Sequence, residues 1–295
     1  MLIMLYTLWT YRRFMRFSGE DTYIFKQRWL PASVIAQLVM VFFVIGYIVG
    51  AVDLFTHEVE PLYMFISVVF FVGGIFVGVL VRLQYSMAAA LRKRTLEVMR
   101  TFAKSIEMKD IYTQGHSVHV CHVVDLFYDN LPPQLRRQIN RPKLLDAALL
   151  HDIGKLGVPN EILNKVGALT PEDWEAIRSH PTHGKKMLED TCFTDISDWV
   201  LYHHERMDGK GYLGLPGDQI PIEARIIAIA DCYSAMTTRR EYRPPYSHAE
   251  AIQAMREAAG TQLDAELLAY FWDLPEESLA FSAAMDDSPL SQTGA

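Results

Sequence analysis

His151-Asp152-Ile153-Gly154-Lys155 closes an apolar run that opens at Arg141-Pro142, and the fold reads outward from it. Within the run, Leu144, Leu145, Ala148 and Leu149 repeat at helical spacing, so one face is apolar and the histidine and aspartate arrive together at its end. An imidazole and a carboxylate on neighbouring residues are suited to share one metal ion or to bridge two, provided other segments bring ligands to the same point.

The pattern on both sides is helical. Thr170-Pro171-Glu172-Asp173 reads as an N-cap with proline at the first helical position. Ser247-His248-Ala249-Glu250 is a capping box, and Gly260 stops the helix it starts. No stretch alternates with period two for long enough to demand a sheet. From residue 110 to 273 the expected fold is therefore all-α, with seven or eight helices and no internal repeat. Residues 274–295 are acidic, Ser-containing and aperiodic, which predicts a mobile tail.

The first 82 residues differ in kind. Two uncharged runs, 31–52 and 62–81, meet the length of roughly 20 residues that a helix needs to cross a bilayer and predict spans at about 31–53 and 62–81. Arg12, Arg13, Arg16, Lys26 and Arg28 precede the first, and Arg82, Arg92, Lys93 and Arg94 follow the second. Between them lie Asp53, His57, Glu58 and Glu60 with no Lys or Arg. The charge bias predicts a two-helix transmembrane hairpin, multi-pass in the inner membrane, with both termini in the cytoplasm. The external loop is too short to fold as a sensor domain. The opening nine residues are too short to span and read as an interfacial segment rather than a removable signal.

Residues 83–109 contain no Gly or Pro and carry Met87, Leu91, Val98, Phe102 and Ile106 at helical spacing, which predicts a connecting helix. Its stripe suits either pairing with a second chain, giving a homodimer, or packing on its own domain.

Three widely spaced cysteines form no CxxC pair and fit a reducing compartment. The net charge of −7 argues against long nucleic acid as a partner, but not against a small anion in a local basic pocket.

Eight of the ten histidines fall between positions 116 and 204. His180 precedes Pro181, which biases it to a helix end. His203 and His204 are adjacent and followed by Glu205, and Asp231 sits in a helical run with small Ala228, Ala230 and Ala235. A carboxylate buried there needs a partner or a metal.

Combined with His151-Asp152-Ile153-Gly154-Lys155, the segments His203-His204-Glu205, Asp208-Gly209-Lys210-Gly211-Tyr212, Ile220-Pro221, Ala224-Arg225-Ile226 and Ile229-Ala230-Asp231 closely resemble the HD-GYP family. The resemblance covers about residues 106–271, including Lys109-Asp110-Ile111-Tyr112-Thr113-Gln114-Gly115-His116-Ser117 at its start. It implies a helical, metal-dependent phosphodiesterase that cuts cyclic di-GMP. By the same resemblance, His116, His151, Asp152 and Asp231 hold one divalent ion. Asp152 bridges to a second, completed by His180, His203 and His204. The family's glutamate that recruits a third ion is replaced by Tyr112, so a two-metal site is expected, with Fe or Mn as the ions.

Lys155 is then expected beside Asp152 in catalysis, as a phosphate contact. Gly209, Gly211, Tyr212, Arg240 and Arg243 are expected to bind the cyclic dinucleotide. The loop from Gly209 to Pro221 also offers a docking place for a signalling partner. Leu213 replaces the family's proline, Ser234 stands where aspartate is common and Met207 where tryptophan is common, and the loop is one residue shorter. These departures leave open another cyclic dinucleotide, a nucleotide phosphohydrolase reaction, or a non-catalytic receptor module. His119 and His122 are expected at the helix surface or behind the ligands, and His183 and Glu205 as groups that orient them.

Overall fold

The computed structural model describes residues 38–39, 41–43, 45–50, 52, 61–110, 115–238 and 244–280. Much of the first expected span, the loop at 53–60, Tyr112, Arg240, Arg243 and residues 281–295 lie outside the described residues. The chain divides into two compact units, Met1–Arg94 and Thr95–Ala295.

In the first unit the dominant element is α1, Pro61–Lys109, a continuous helix of 49 residues that runs on into the second. The second expected span and the connecting helix are thus one element. Among the described residues it is the one helix long and apolar enough to cross a membrane. The described parts of 38–52 are helical but shorter, so the expected hairpin is represented by a single span-length helix. Side-by-side packing of the two apolar segments shows in Phe43 and Phe70, whose rings meet edge to face at 5.5 Å.

The second unit is helical throughout its described residues, apart from one isolated bridge between Ala259 and Leu263. Its principal helices are α2 (His116–Asn130), α3 (Arg141–Leu150), α4 (Pro171–Arg178), α5 (His180–Leu188), α6 (Ser197–Tyr202), α7 (Ile222–Thr237), α8 (His248–Ala258), α9 (Ala265–Phe271) and the turn α10 (Glu276–Leu279). Both expected caps are present: Thr170 and Asp173 make a capping box on α4, and Ser247 and Glu250 make one on α8. Each satisfies two backbone N–H groups that a helix start would leave without partners.

Helix α2 packs against α3 and α7 at the centre. Around it lie Phe127, Leu144, Leu149, Ile226, Ile229, Met255 and Phe271, all fully buried. Full burial of such side chains stabilises by about 1.5–3 kcal/mol each, which makes this the rigid frame of the site.

Two expectations are corrected here. The face of α1 that enters the core is Met99, Ala103 and Ile106, whereas Val98 is 54% and Phe102 51% exposed. Both sets recur at helical spacing, and periodicity alone cannot decide between two adjacent faces of one helix. The tail expected from 274 begins with structure. Leu279 on α10 is completely buried in the core, and the carbonyls of Ser278 and Leu279 accept hydrogen bonds from His122 and His119.

Candidate metal centre

Three of the site's imidazoles are held by the same local device. His151 and His203 cap the C-termini of α3 and α6, and His180 follows the end of α4. In each, Nδ1 points back at the carbonyl three residues earlier: Ala148 at 2.8 Å, Ile177 at 2.8 Å and Val200 at 2.6 Å. A carbonyl only accepts, so Nδ1 carries the proton and Nε2 presents a lone pair. All three Nε2 atoms are buried without a hydrogen-bond partner. Buried polar atoms are rarely left so, and a helix end that aims an unsatisfied lone pair inward is shaped for a cation.

Asp152 supplies the opposing charge. Its Oδ1 lies 3.2 Å from His180 Nε2 and its Oδ2 lies 3.4 Å from His151 Nε2. On the far side, His116 Nε2 is 3.0 Å from Asp231 Oδ1. The seven expected ligands fall into two groups, Asp152 with His180, His203 and His204, and His116 with His151 and Asp231. Within each group one ligand atom per residue lies within 4.8 Å of the others. Asp152 belongs to the first group, and its contact with His151 of the second places it between the two. The donor set, imidazole and carboxylate, suits divalent first-row ions.

The electrostatics follow from burial and neighbours. Burial, reinforced by the surrounding imidazoles, holds His203 far below the usual range and His204 down at about 3, so both are neutral at physiological pH. His151 is different: burial opposes its charge, but Asp152 and then Asp231 outweigh burial and push it up to about 9. Asp152 is held well below the usual carboxylate range, because Lys155 and His151 overcome its burial. Asp152 and Asp231 thus favour positive charge at this point.

Lys155 lies closer to the ligands than a pure phosphate contact would. Its ammonium donates to Asp152 Oδ2 at 2.7 Å and to Asp110 Oδ2 at 2.8 Å. The turn that carries it is pinned by Lys109, whose ammonium donates to the carbonyls of Lys155, Leu156 and Val158. Gly154 lets this turn press on α5, where a Cβ would overlap the His180 carbonyl and the Gly184 nitrogen.

The loop after His204 is built on Glu205. Its buried carboxylate accepts backbone N–H bonds from Leu213 and Leu215, both at 2.6 Å. Glu205 therefore shapes the loop instead of orienting a ligand. A proline at 213 could not donate, so Leu213 is used structurally. Gly211 sits where a Cβ would meet Glu205, and Gly209 has φ 70°, a left-handed conformation that glycine adopts without penalty. Tyr212 lies over His204 with ring centroids 4.7 Å apart, and the Arg178 guanidinium stands 5.6 Å from the Tyr212 ring. A cavity of about 520 Å³ opens here, lined by His203, His204, Asp231, Tyr212, Arg178 and Lys210.

Residues 134–267 match the family model described as HD domain. The matched segment contains His151, Asp152, His180, His203, His204 and Asp231, whereas His116 lies upstream of it. Among curated proteins, the chain is 37% identical over 182 residues to a "Probable cyclic di-GMP phosphodiesterase" of Vibrio cholerae, covering 57% of this chain and 41% of that protein. It is 41% identical over 163 residues to the "Cyclic di-GMP phosphodiesterase PA4108" of Pseudomonas aeruginosa, with 52% and 37% covered. It is 37% identical over 174 residues to the "3'3'-cGAMP-specific phosphodiesterase 3" of Vibrio cholerae, with 58% and 37% covered. The chain thus spans about two fifths of the length of these relatives.

Sequence reasoning missed four contributors. Asp110 pairs Lys155, and Glu107 caps α2 by accepting from the N–H groups of Gly115 and Ser117 at 2.8 and 2.9 Å. Arg178 reaches the cavity from a helix end that carried no motif. Ser234 lies 2.9 Å from both His116 Nδ1 and His119 Nδ1, although its residue type suggested only a lost aspartate. His119 is fully buried and not at the surface.

Proposed function

We propose that this chain is a metal-dependent phosphodiesterase that hydrolyses cyclic di-GMP at a site holding two divalent ions. The observation that carries the reading is the pair of adjoining ligand groups, Asp152 with His180, His203 and His204 and His116 with His151 and Asp231, beside a cavity that His203, His204 and Asp231 line. Curated relatives named for this activity support it. Fe and Mn suit the imidazole and carboxylate donors.

When bound, the two ions supply Lewis acidity toward the phosphate and a nucleophile at neutral pH. The chain's own residues do the rest. His116, His151 and Asp231 would hold one ion, and His180, His203 and His204 with Asp152 would hold the other. Neutral His203 and His204 keep the site's charge positive enough to draw in a phosphodiester. Lys155 holds the Asp152 carboxylate charged and in place, and its ammonium adds a point charge facing the substrate. Tyr212 offers a flat face to a guanine base, with Gly209 and Gly211 allowing the loop to approach closely. Arg178, 5.6 Å from that ring, serves as an anion partner. By the sequence resemblance, Arg240 and Arg243 add further contacts to the dinucleotide.

The reading puts this activity at the cytoplasmic face of a membrane; the span-length helix α1 and the charge bias of the residues around the apolar runs support it. A second reading, hydrolysis of 3'3'-cGAMP, is favoured by the relative of that name. Turnover of a panel of cyclic dinucleotides by the purified protein decides between them: cyclic di-GMP should have the highest kcat/KM, and a preference for 3'3'-cGAMP would replace the first reading with the second.

A further inference from the structure

We infer that Ser234 and His119 are positioning residues that fix which nitrogen of His116 faces the metal centre, and that they do so from the carbonyl of Leu279 on α10. The argument is a proton inventory along one chain of contacts. His119 Nε2 lies 2.9 Å from the Leu279 carbonyl oxygen. That oxygen only accepts, so Nε2 carries a proton. His119 is completely buried, and burial lowers it to about 4, so the ring is neutral and its Nδ1 is a lone pair. Ser234 Oγ, at 2.9 Å, must then donate its one proton to His119 Nδ1. Nothing remains on Oγ but lone pairs, so the 2.9 Å contact with His116 Nδ1 is made by a proton on His116. Nε2 of His116 is left to face Asp231 Oδ1 at 3.0 Å, two acceptors that need a cation between them.

His116 thus reaches the arrangement that His151, His180 and His203 reach through a carbonyl three residues back, but by another route. It is the first residue of α2, after Gly115, so no earlier turn of that helix lends it a carbonyl. Ser234 stands in for that carbonyl only while His119 occupies its proton. Without His119 the hydroxyl is free to donate to His116 Nδ1 instead, which would put the proton on Nε2 and close the ligand.

The inference rests on the two-ion reading for its consequence, but its central statement concerns a tautomer and is separable. Full-length protein labelled with 15N-histidine is studied by NMR, metal-free at about pH 8.5, well above the ordinary histidine pKa, and loaded with Zn2+ as a diamagnetic probe. Zn2+ affinities of the two sites are measured in parallel by competition with a chelator. His116 should show a protonated Nδ1 in both forms. Ser234→Ala and His119→Phe should each weaken one ion roughly 10–100-fold, the range for loss of a residue behind a metal ligand. The other ion, on His180, His203 and His204, should be retained within about threefold, which also shows that each variant is folded. Ser234→Thr should restore the wild-type affinity, and the double variant should be no worse than Ser234→Ala, because one chain of contacts cannot be broken twice. A neutral His116 with its proton on Nε2, or unchanged affinity at both sites in Ser234→Ala, overturns the inference. If the wild type takes up no divalent ion, the phosphodiesterase reading fails, while the metal-free spectrum still decides the tautomer.

Discussion

Gly154 rests directly on the backbone of His180, so that a Cβ on residue 154 would overlap the His180 carbonyl oxygen. The glycine of the His-Asp-Ile-Gly-Lys stretch therefore serves packing: it lets the turn after Asp152 meet α5, and this contact brings Asp152 and His180 to one point. Gly154→Ala should destabilise the protein by about 1–3 kcal/mol, the usual cost of overpacking. It should also separate Asp152 from His180. Denaturant midpoints and metal content of the variant check both effects, and a wild-type metal content would show that the contact does not set the site.

Lys155 joins Asp110 and Asp152. Lys155→Ala should leave the helices intact but lower kcat at least roughly tenfold, because Asp152 loses the ammonium that keeps it charged and oriented. Lys155→Arg should recover little, since a planar fork does not replace a compact ammonium between two carboxylates. Steady-state kinetics with metal in excess are the measurement.

Much of this centre was legible from sequence, and the reasons are local. His151 and His180 sit at helix ends marked by an apolar run and a proline, so their local placement followed from helix geometry, while the grouping of the ligands rested on the resemblance of several motifs to a known family. What stayed hidden depends on contacts between distant segments. The Ser234 hydroxyl gains meaning only beside His119, 115 residues away. The role of Glu205 rests on backbone N–H groups that leave no trace in residue type. The buried stripe of α1 was misread by one residue because Val98 and Met99 are equally apolar and only packing separates them.

Glu205 ties down the loop that carries Tyr212. Leu213→Pro removes one of its two N–H donors and should cost about 1–3 kcal/mol locally, the penalty for a buried acceptor left without its partner. The loosened Tyr212 should raise KM for the dinucleotide more than it lowers kcat. Initial rates across substrate concentration separate the two.

Arg178 meets Tyr212 by ring contact, and no carboxylate pairs with it among the described residues. Arg178→Ala should raise KM by roughly tenfold with kcat less affected, the pattern for uniform binding. An unchanged KM would remove Arg178 from the substrate site.

The metal-free protein should be most stable near neutral pH. His119 and His204 titrate at about 4 and about 3 when folded, with His203 also far below its ordinary range. The unfolded chain binds their protons first, near pH 6.5, so stability falls as pH drops from about 6.5 toward 4. His151, raised to about 9, acts oppositely: the folded state holds its proton longer, and that contribution is lost as pH rises from about 6.5 through 9. Thermal unfolding from pH 4 to 10 after chelation should show the maximum, and a stability that rises steadily toward pH 5 would contradict this account.

The most direct test of the central claim is hydrolysis of cyclic di-GMP by the full chain in detergent, loaded with Mn2+ or Fe2+, beside the variant carrying both His151→Ala and Asp152→Ala. The account predicts metal-dependent linearisation by the wild type and none above background by the variant. No turnover with either ion, or turnover that survives the double substitution, would contradict it.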